Sequence, residues 1–236
     1  MTDKGIDIVG VGEVAKAIPE KSWNKLIYTA CETFEKCVAP LTELTGGIGR
    51  LISARFNRLV DAEKVLAAET IERASKKAYK ANEIPVQRFK PNIFISVIDH
   101  ASQQTDCNIR ELWANLLAQE LLDGDVHPEV VKILSRINAQ DAQTLAEIAE
   151  KSEKDDYVRS FSSSIMGTNV EEDGTLSASV SMLGISASMK KRPKYSFSEK
   201  FLESLGLIER SGKKWELTAI GEGFVASVSE PKEARA

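Results

Sequence analysis

Cysteine, histidine and aromatic residues are scarce in this chain, and long apolar runs are missing altogether. The three cysteines, Cys31, Cys37 and Cys107, are odd in number and show no CxxC spacing, which excludes a disulfide framework. With His100 and His127 the only histidines, no Cys/His cluster is spaced to hold zinc, so the cysteines read as small apolar side chains. No window approaches the roughly 18 apolar residues of a membrane-spanning helix. The N-terminus, with Asp3, Asp7 and Glu13, lacks the basic and then apolar order of a secretion signal, so the expected location is the cytoplasm. Nor do paired carboxylates, a metal cluster or an activated nucleophile stand out. The expectation is a protein without enzymatic activity, cofactor or small-molecule substrate; an enzyme whose site residues are scattered in sequence stays as an alternative.

What is present is ordinary globular material, with 42% hydrophobic and 28% charged residues in 236. That length suits one large domain or two small ones, and two are expected. Residues 1–20 read as a flexible N-terminal segment, 21–152 as a helical domain, 153–229 as a smaller α+β domain, and 230–236 as a disordered tail.

Helical periodicity dominates the first part. Ser22 to Leu44 places Trp23, Leu26, Ile27, Ala30, Phe34, Cys37, Val38, Leu41 and Leu44 on one stripe, with a bend or interruption expected at Pro40. After a joint at Gly46, Gly47 and Gly49, one long helix is predicted from Ile48 to Ala81, with Ile52, Phe56, Leu59, Leu66 and Ile71 inward; some thirty residues would span about 45 Å. Pro85 and Pro91 bracket an extended connector. Asn92 is expected to cap a helix carrying Ile93, Phe94, Val97, Ile98 and Ala101. Thr105 or Asp106 caps the next, whose stripe is Ile109, Leu112, Trp113, Leu116 and Leu117 and which Gly124 ends. Pro128 opens another, and Asn138 with Asp141 forms a capping box on the one after it.

Beyond Glu153 to Asp156 the period changes. Leu176 to Met182 alternates apolar residues with serine, which predicts a strand, with a partner strand at Val158 to Met166 and a turn at Glu171 to Gly174. Then follow a helix capped by Ser196 or Ser198 and closed by Gly206, a strand from Leu207, a turn at Ser211-Gly212, a return strand through Trp215 to Leu217, and a last helix capped by Thr218. A helix, a two-strand turn and a helix is the local order of a winged helix. The fold class is therefore mainly α, an N-terminal bundle of short helices and one long one, followed by a winged-helix-like module with an extra serine-rich β-hairpin.

Charge is divided sharply along the chain. Gly46 to Lys90 holds 10 Lys+Arg against 5 Asp+Glu, whereas Pro91 to Tyr157 holds 5 against 13. Segments this close in sequence can meet at little loop-closure cost, so packing on each other is the preferred reading. Two basic groups remain as candidate contacts. Lys190, Lys191, Arg192 and Lys194, with Lys213 and Lys214 in the predicted wing, could meet DNA phosphates or another anionic partner; Glu199 and Glu203 on the intervening helix oppose this. Arg50, Arg55, Arg58, Lys76, Lys77 and Lys80 could face a membrane surface or a partner; Asp61, Glu63, Glu69 and Glu72 at helical spacing oppose that.

Several motifs read as decoys. Gly10, Gly12 and Ala15 nearly spell a dinucleotide fingerprint, but no second strand follows. GGIGR at Gly46 to Arg50 lacks the ending of a phosphate loop and reads as a hinge. Asp99 and His100 have no nucleophile to serve, and Asp141 reads as a first-turn carboxylate.

LWANLLAQEL, then HPEVVKILSRINAQDAQTL, then LESLGLIE with WELTAIGEGFV together resemble the Abi-alpha family of bacterial proteins, named for abortive infection, in which an infected cell stops growth or dies before phage can spread. The similarity covers about Leu41 to Val228 and is strongest at Leu112 to Leu145 and Leu202 to Phe224. It implies a phage-defence role and offers no catalytic residues to carry over. Together with the missing catalytic constellation it predicts action through protein contacts, by a partner or self-association. The alternatives are a winged-helix DNA-binding regulator and a membrane-surface effector.

Overall fold

The computed structural model describes residues 20–45, 47–81, 90–152, 155–166 and 196–231. Ten helices and one two-stranded antiparallel sheet account for their regular structure: α1 (Glu20–Thr45), α2 (Gly47–Asn57), α3 (Asp61–Ala81), α4 (Pro91–Ala101), α5 (Cys107–Asp123), α6 (Pro128–Leu134), α7 (Ala139–Ser152), α8 (Asp156–Met166), α9 (Phe197–Ser204), β1 (Ile208–Ser211), β2 (Lys214–Leu217) and α10 (Ala219–Ser227). The mainly helical class is as expected. The nucleotide-like Gly10, Gly12 and Ala15, Gly46, the connector at Pro85, the turn and strand over Glu171 to Met182, and the basic cluster at Lys190 to Lys194 lie outside the described residues, as does most of the tail.

α5 is the central element. Ile109, Leu112, Trp113, Leu116, Leu117 and Leu121 are buried on it, and so are Arg110, Asn115 and Glu120, so the helix is enclosed nearly all round. α3 packs along it and is backed in turn by α1, while α4, α8 and α10 cover its remaining sides. Phe34 of α1 stacks on Phe56 of α2 with ring centroids 3.8 Å apart. Buried apolar side chains form one continuous core from Ala30 through to Val228, so the C-terminal elements share it with the helices before them.

Two expected helix features change. The helix predicted as continuous from Ile48 to Ala81 breaks at Arg58 to Val60: α2 closes with bonds from Arg58 N to Arg55 O and Leu59 N to Phe56 O, and α3 restarts where Glu63 Oε2 accepts from Val60 N at 3.2 Å. The break lets α2 reach α4 while α3 follows α5, which a straight rod could not do. In contrast, α1 runs through Pro40 without interruption. Gly47 and Gly49, read as a joint, form the first turn of α2.

Local capping chemistry sets most other boundaries. Asp106 accepts from Asn108 N and Ile109 N, and Gly124 ends α5 at φ 65°, a left-handed conformation that glycine adopts without a steric cost. Asn138 and Asp141 exchange backbone bonds of 2.9 and 3.2 Å, the expected capping box. Asn92 does not cap α4; Lys90 is the cap, because Pro91 is preorganised for the first helical position. The strand predicted over Val158 to Met166 is helix α8, with Val158, Phe161, Ser162 and Ile165 buried at helical spacing. Further on, Ser196 and Glu199 form a capping box on α9, and Thr218 caps α10. The hairpin pairs Ile208 with Leu217 and Ser211 with Lys214, so its turn is Gly212-Lys213, one residue later than expected.

Candidate functional site

Much of the charge on the basic helices is engaged inside the chain. Arg73 donates to Glu111 at 2.9 Å and also pairs with Glu69; Lys77 meets the other Glu111 oxygen at 2.5 Å and donates to Asn115 Oδ1 at 2.8 Å. Burial pushes the Glu111 carboxyl upward, but Lys77 and Arg73 outweigh it and hold the group below the usual carboxylate range. Asn115 in turn donates to Val228 O at 2.9 Å, tying the end of α10 to the central helix. Arg110, 1% exposed, donates to Gln104 O and Thr105 O and lies 3.5 Å from Glu69. Its guanidinium is held below its ordinary value by burial, which Glu69 only partly offsets.

At the far end of α5, Glu120 works as a clasp. It is fully buried and accepts from Lys90 N and, at 3.1 Å, from Val126 N, fixing the loop from Gly124 to His127. Burial raises its carboxyl despite these donors. On the opposite side, Ser229 donates to Tyr157 O at 2.8 Å and Ser160 Oγ accepts from Glu230 N at 2.9 Å, pinning the segment after α10 onto α8. Between clasp and pin lies a groove of about 640 Å³, lined by Ala81, Leu122, Asp123, Asp125, His127 and Glu230 among others. A smaller hollow of about 260 Å³ shares Ala81, Tyr157, Glu230 and Pro231 with it. The Asp123 carboxyl is raised by partial burial and by Asp125 beside it.

The candidate residues read from sequence scatter across the molecule. Lys213 and Lys214 are exposed at the hairpin turn. Arg50 and Arg58 are exposed, Arg55 pairs with Asp99, Lys76 lies 3.2 Å from Glu72, Lys77 joins the Glu111 network, and Lys80 is exposed at the end of α3. His100, next to Asp99, stacks on Trp113 with centroids 5.4 Å apart. The groove was not anticipated. The internal charge ladder had a signal in Glu69, Arg73 and Lys77 at intervals of four, facing Glu111 and Asn115, also four apart.

The outer face of α9 is the other distinctive surface. Phe197 is 82% exposed and stacks with Phe201 at 6.1 Å; Arg136 lies 5.6 Å from the Phe201 centroid and Lys200 lies 5.2 Å from that of Trp215. Among the described residues no group of three or more His, Cys, Asp or Glu side chains is placed to hold a metal ion, and no helix is long and apolar enough to cross a membrane.

The fold and its surfaces thus define a mainly helical scaffold closed by a C-terminal helix–hairpin–helix, with a groove at the seam between the two. The family described as abortive infection alpha matches residues 62–228, the greater part of the chain and all the elements from α3 to α10, and this protein belongs to that family. Membership associates it with abortive infection, a defence against phage. Comparison with curated proteins and with solved structures gave no match.

Proposed function

We propose that this is a bacterial, cytoplasmic phage-defence protein that acts by binding another protein and not by catalysing a reaction. The observation that carries the reading is the exposed aromatic face of α9: a phenylalanine 82% open to solvent, backed by a second ring with an arginine beside it, is the composition of an interface hot spot. Family membership supplies the biological setting. Expressing the chain in a phage-sensitive bacterium and challenging it with a phage panel should lower plaque numbers. Phe197→Ser should abolish that protection while leaving the melting temperature unchanged, since the side chain is outside the core. Plaque counts equal to those of cells without the chain, across the whole panel, would refute the reading.

A second reading, a winged-helix DNA-binding regulator, draws on the order α9, β1, β2, α10 and on Lys213 and Lys214 exposed where a wing touches phosphate. Lys200 is matched by Glu203 at 2.7 Å, and Glu209 and Glu216 are exposed on the hairpin, which weighs against it. Retention on DNA at low salt, lost on raising salt or in Lys213→Gln/Lys214→Gln, is its signature. A membrane-surface role has less support, because Arg55 and Lys77 already have internal partners.

A further inference from the structure

Two helices end at the groove, α5 at Leu122 and Asp123 and α10 at Ala226 and Ser227, and Ala81 of α3 lines it beside them. Each C-terminus presents carbonyls without helical partners and carries about half a negative elementary charge. The N-terminal end of α8, at Tyr157, and the His127 cap of α6 bring the opposite sign, but Asp155 and Asp156 at the start of α8 offset the first. Carboxylates reinforce the negative balance. Asp123 and Asp125 pair with no cation among the described residues, and Glu230 reaches Lys77 only at 3.8 Å, while that lysine sits closer to Glu111. Elsewhere on α5 the carboxylates are engaged, Glu111 by two cations and Glu120 by two backbone N–H groups and Lys90.

Part of the lining is apolar, with Ala81, Leu122, Val126, Ala226 and Pro231. Apolar lining beside carboxylates suits an aliphatic stem that ends in a cation, which is the build of lysine and arginine. The volume of about 640 Å³ has room for side chains on a short segment, well beyond one hydrated ion. Phosphate-bearing ligands are disfavoured by the same carboxylates. We propose that this groove is the docking cleft for a basic segment of a partner protein; the inference rests on the protein-contact reading above and names the partner's chemistry.

The test uses the full chain and a fluorescent short peptide in which Lys and Arg alternate with Leu and Ala, compared with the same peptide carrying Glu at the cationic positions. Anisotropy should show binding of the basic peptide alone, weakening as salt rises. Asp123→Asn/Asp125→Asn, both exposed, should reduce that binding about tenfold, the scale of two exposed ion pairs. Glu209→Gln/Glu216→Gln on the hairpin changes net charge equally and should leave binding intact. Absence of binding to the unaltered chain, or equal losses in the two double variants, overturns the cleft. A wild-type dimer that dissociates in Asp123→Asn/Asp125→Asn overturns it in favour of a second copy as occupant. In the phage assay, protection by the wild type that survives in Asp123→Asn/Asp125→Asn defeats the cleft and leaves the protein-contact reading standing, whereas no protection by the wild type defeats that reading itself.

Discussion

Two glycines two residues apart in α10 should respond to the same substitution with opposite signs. A Cβ added at Gly221 would lie 1.9 Å from the carbonyl oxygen of Leu207 and 2.9 Å from its carbon, whereas one added at Gly223 meets nothing within 4 Å. The oxygen that would be struck is the one accepting from Thr218 N at 3.1 Å, and Gly221 N itself donates to Thr218 Oγ1 at 3.0 Å, so the clash sits where the hairpin joins the helix. Relief requires α10 to move by more than an ångström, which disturbs those two bonds, each worth about 1 kcal/mol net, and loosens Phe224 and Val225 in the core. With overpacking strain of about 1–3 kcal/mol added, Gly221→Ala should cost about 3–5 kcal/mol. At roughly 2–4 °C per kcal/mol for a chain of this size, the melting temperature should fall by roughly 6–20 °C. Gly223→Ala should instead raise it by about 1–4 °C, since alanine in an open helical position gains about 0.5–1 kcal/mol over glycine. Thermal melts followed by circular dichroism decide the matter. A Gly221→Ala melt indistinguishable from wild type would show that the close approach of α10 to Leu207 is wrong, and a lowered melt for Gly223→Ala would show that the space beside Gly223 is not open.

Other expectations concern the charge ladder and the caps. Glu111→Gln leaves Arg73 and Lys77 without their shared carboxylate and should cost about 2 kcal/mol, read as a lower urea midpoint at neutral pH. Because the folded carboxyl lies below its ordinary value of 4.5, its contribution is complete above that value and is lost as pH falls through the folded one; the difference between wild type and Glu111→Gln should therefore shrink on acidification, and a constant difference counts against the assignment. Asn138→Ala removes the acceptor for Asp141 N and should lower stability by about 1 kcal/mol, again by thermal melt.

The parts of the fold visible in the sequence are those settled by neighbours a few residues apart. Asp106, Pro128, the Asn138–Asp141 box and Thr218 each fix a helix start through bonds or geometry spanning at most three residues. The break at Arg58 to Val60 carries no glycine or proline, and what imposes it is the separate packing of α2 on α4 and of α3 on α5. The strand expected at α8 comes only from the need to partner the alternation at Leu176 to Met182, whereas its own Val158, Phe161, Ser162 and Ile165 are buried at helical spacing. Arg110, Asn115 and Glu120 are polar side chains that sequence alone does not mark as buried, yet they are enclosed with distant partners; Asn115 and Val228 are 113 positions apart. The groove draws its lining from the ends of four helices and two loops, so no local pattern announces it.

The charge division along the chain gains its meaning from this geometry. Had the basic segment from Gly46 to Lys90 and the acidic one from Pro91 to Tyr157 simply neutralised each other, 10 cations facing 13 carboxylates would leave little to recognise a partner. The contacts are selective instead: Arg55, Arg73, Lys77 and Lys90 meet Asp99 on α4 and Glu111 and Glu120 on α5. That selection leaves Asp123 and Asp125 without a paired cation among the described residues at the end of α5, where α5 and α10 already point the negative ends of their dipoles. A surplus placed at one concave spot focuses the field, while the same surplus spread over the surface would be screened within about 10 Å by salt. Raising salt should therefore weaken a cationic ligand at the groove less steeply than it weakens cation binding at exposed carboxylates outside any groove, such as Glu209 and Glu216 on the hairpin.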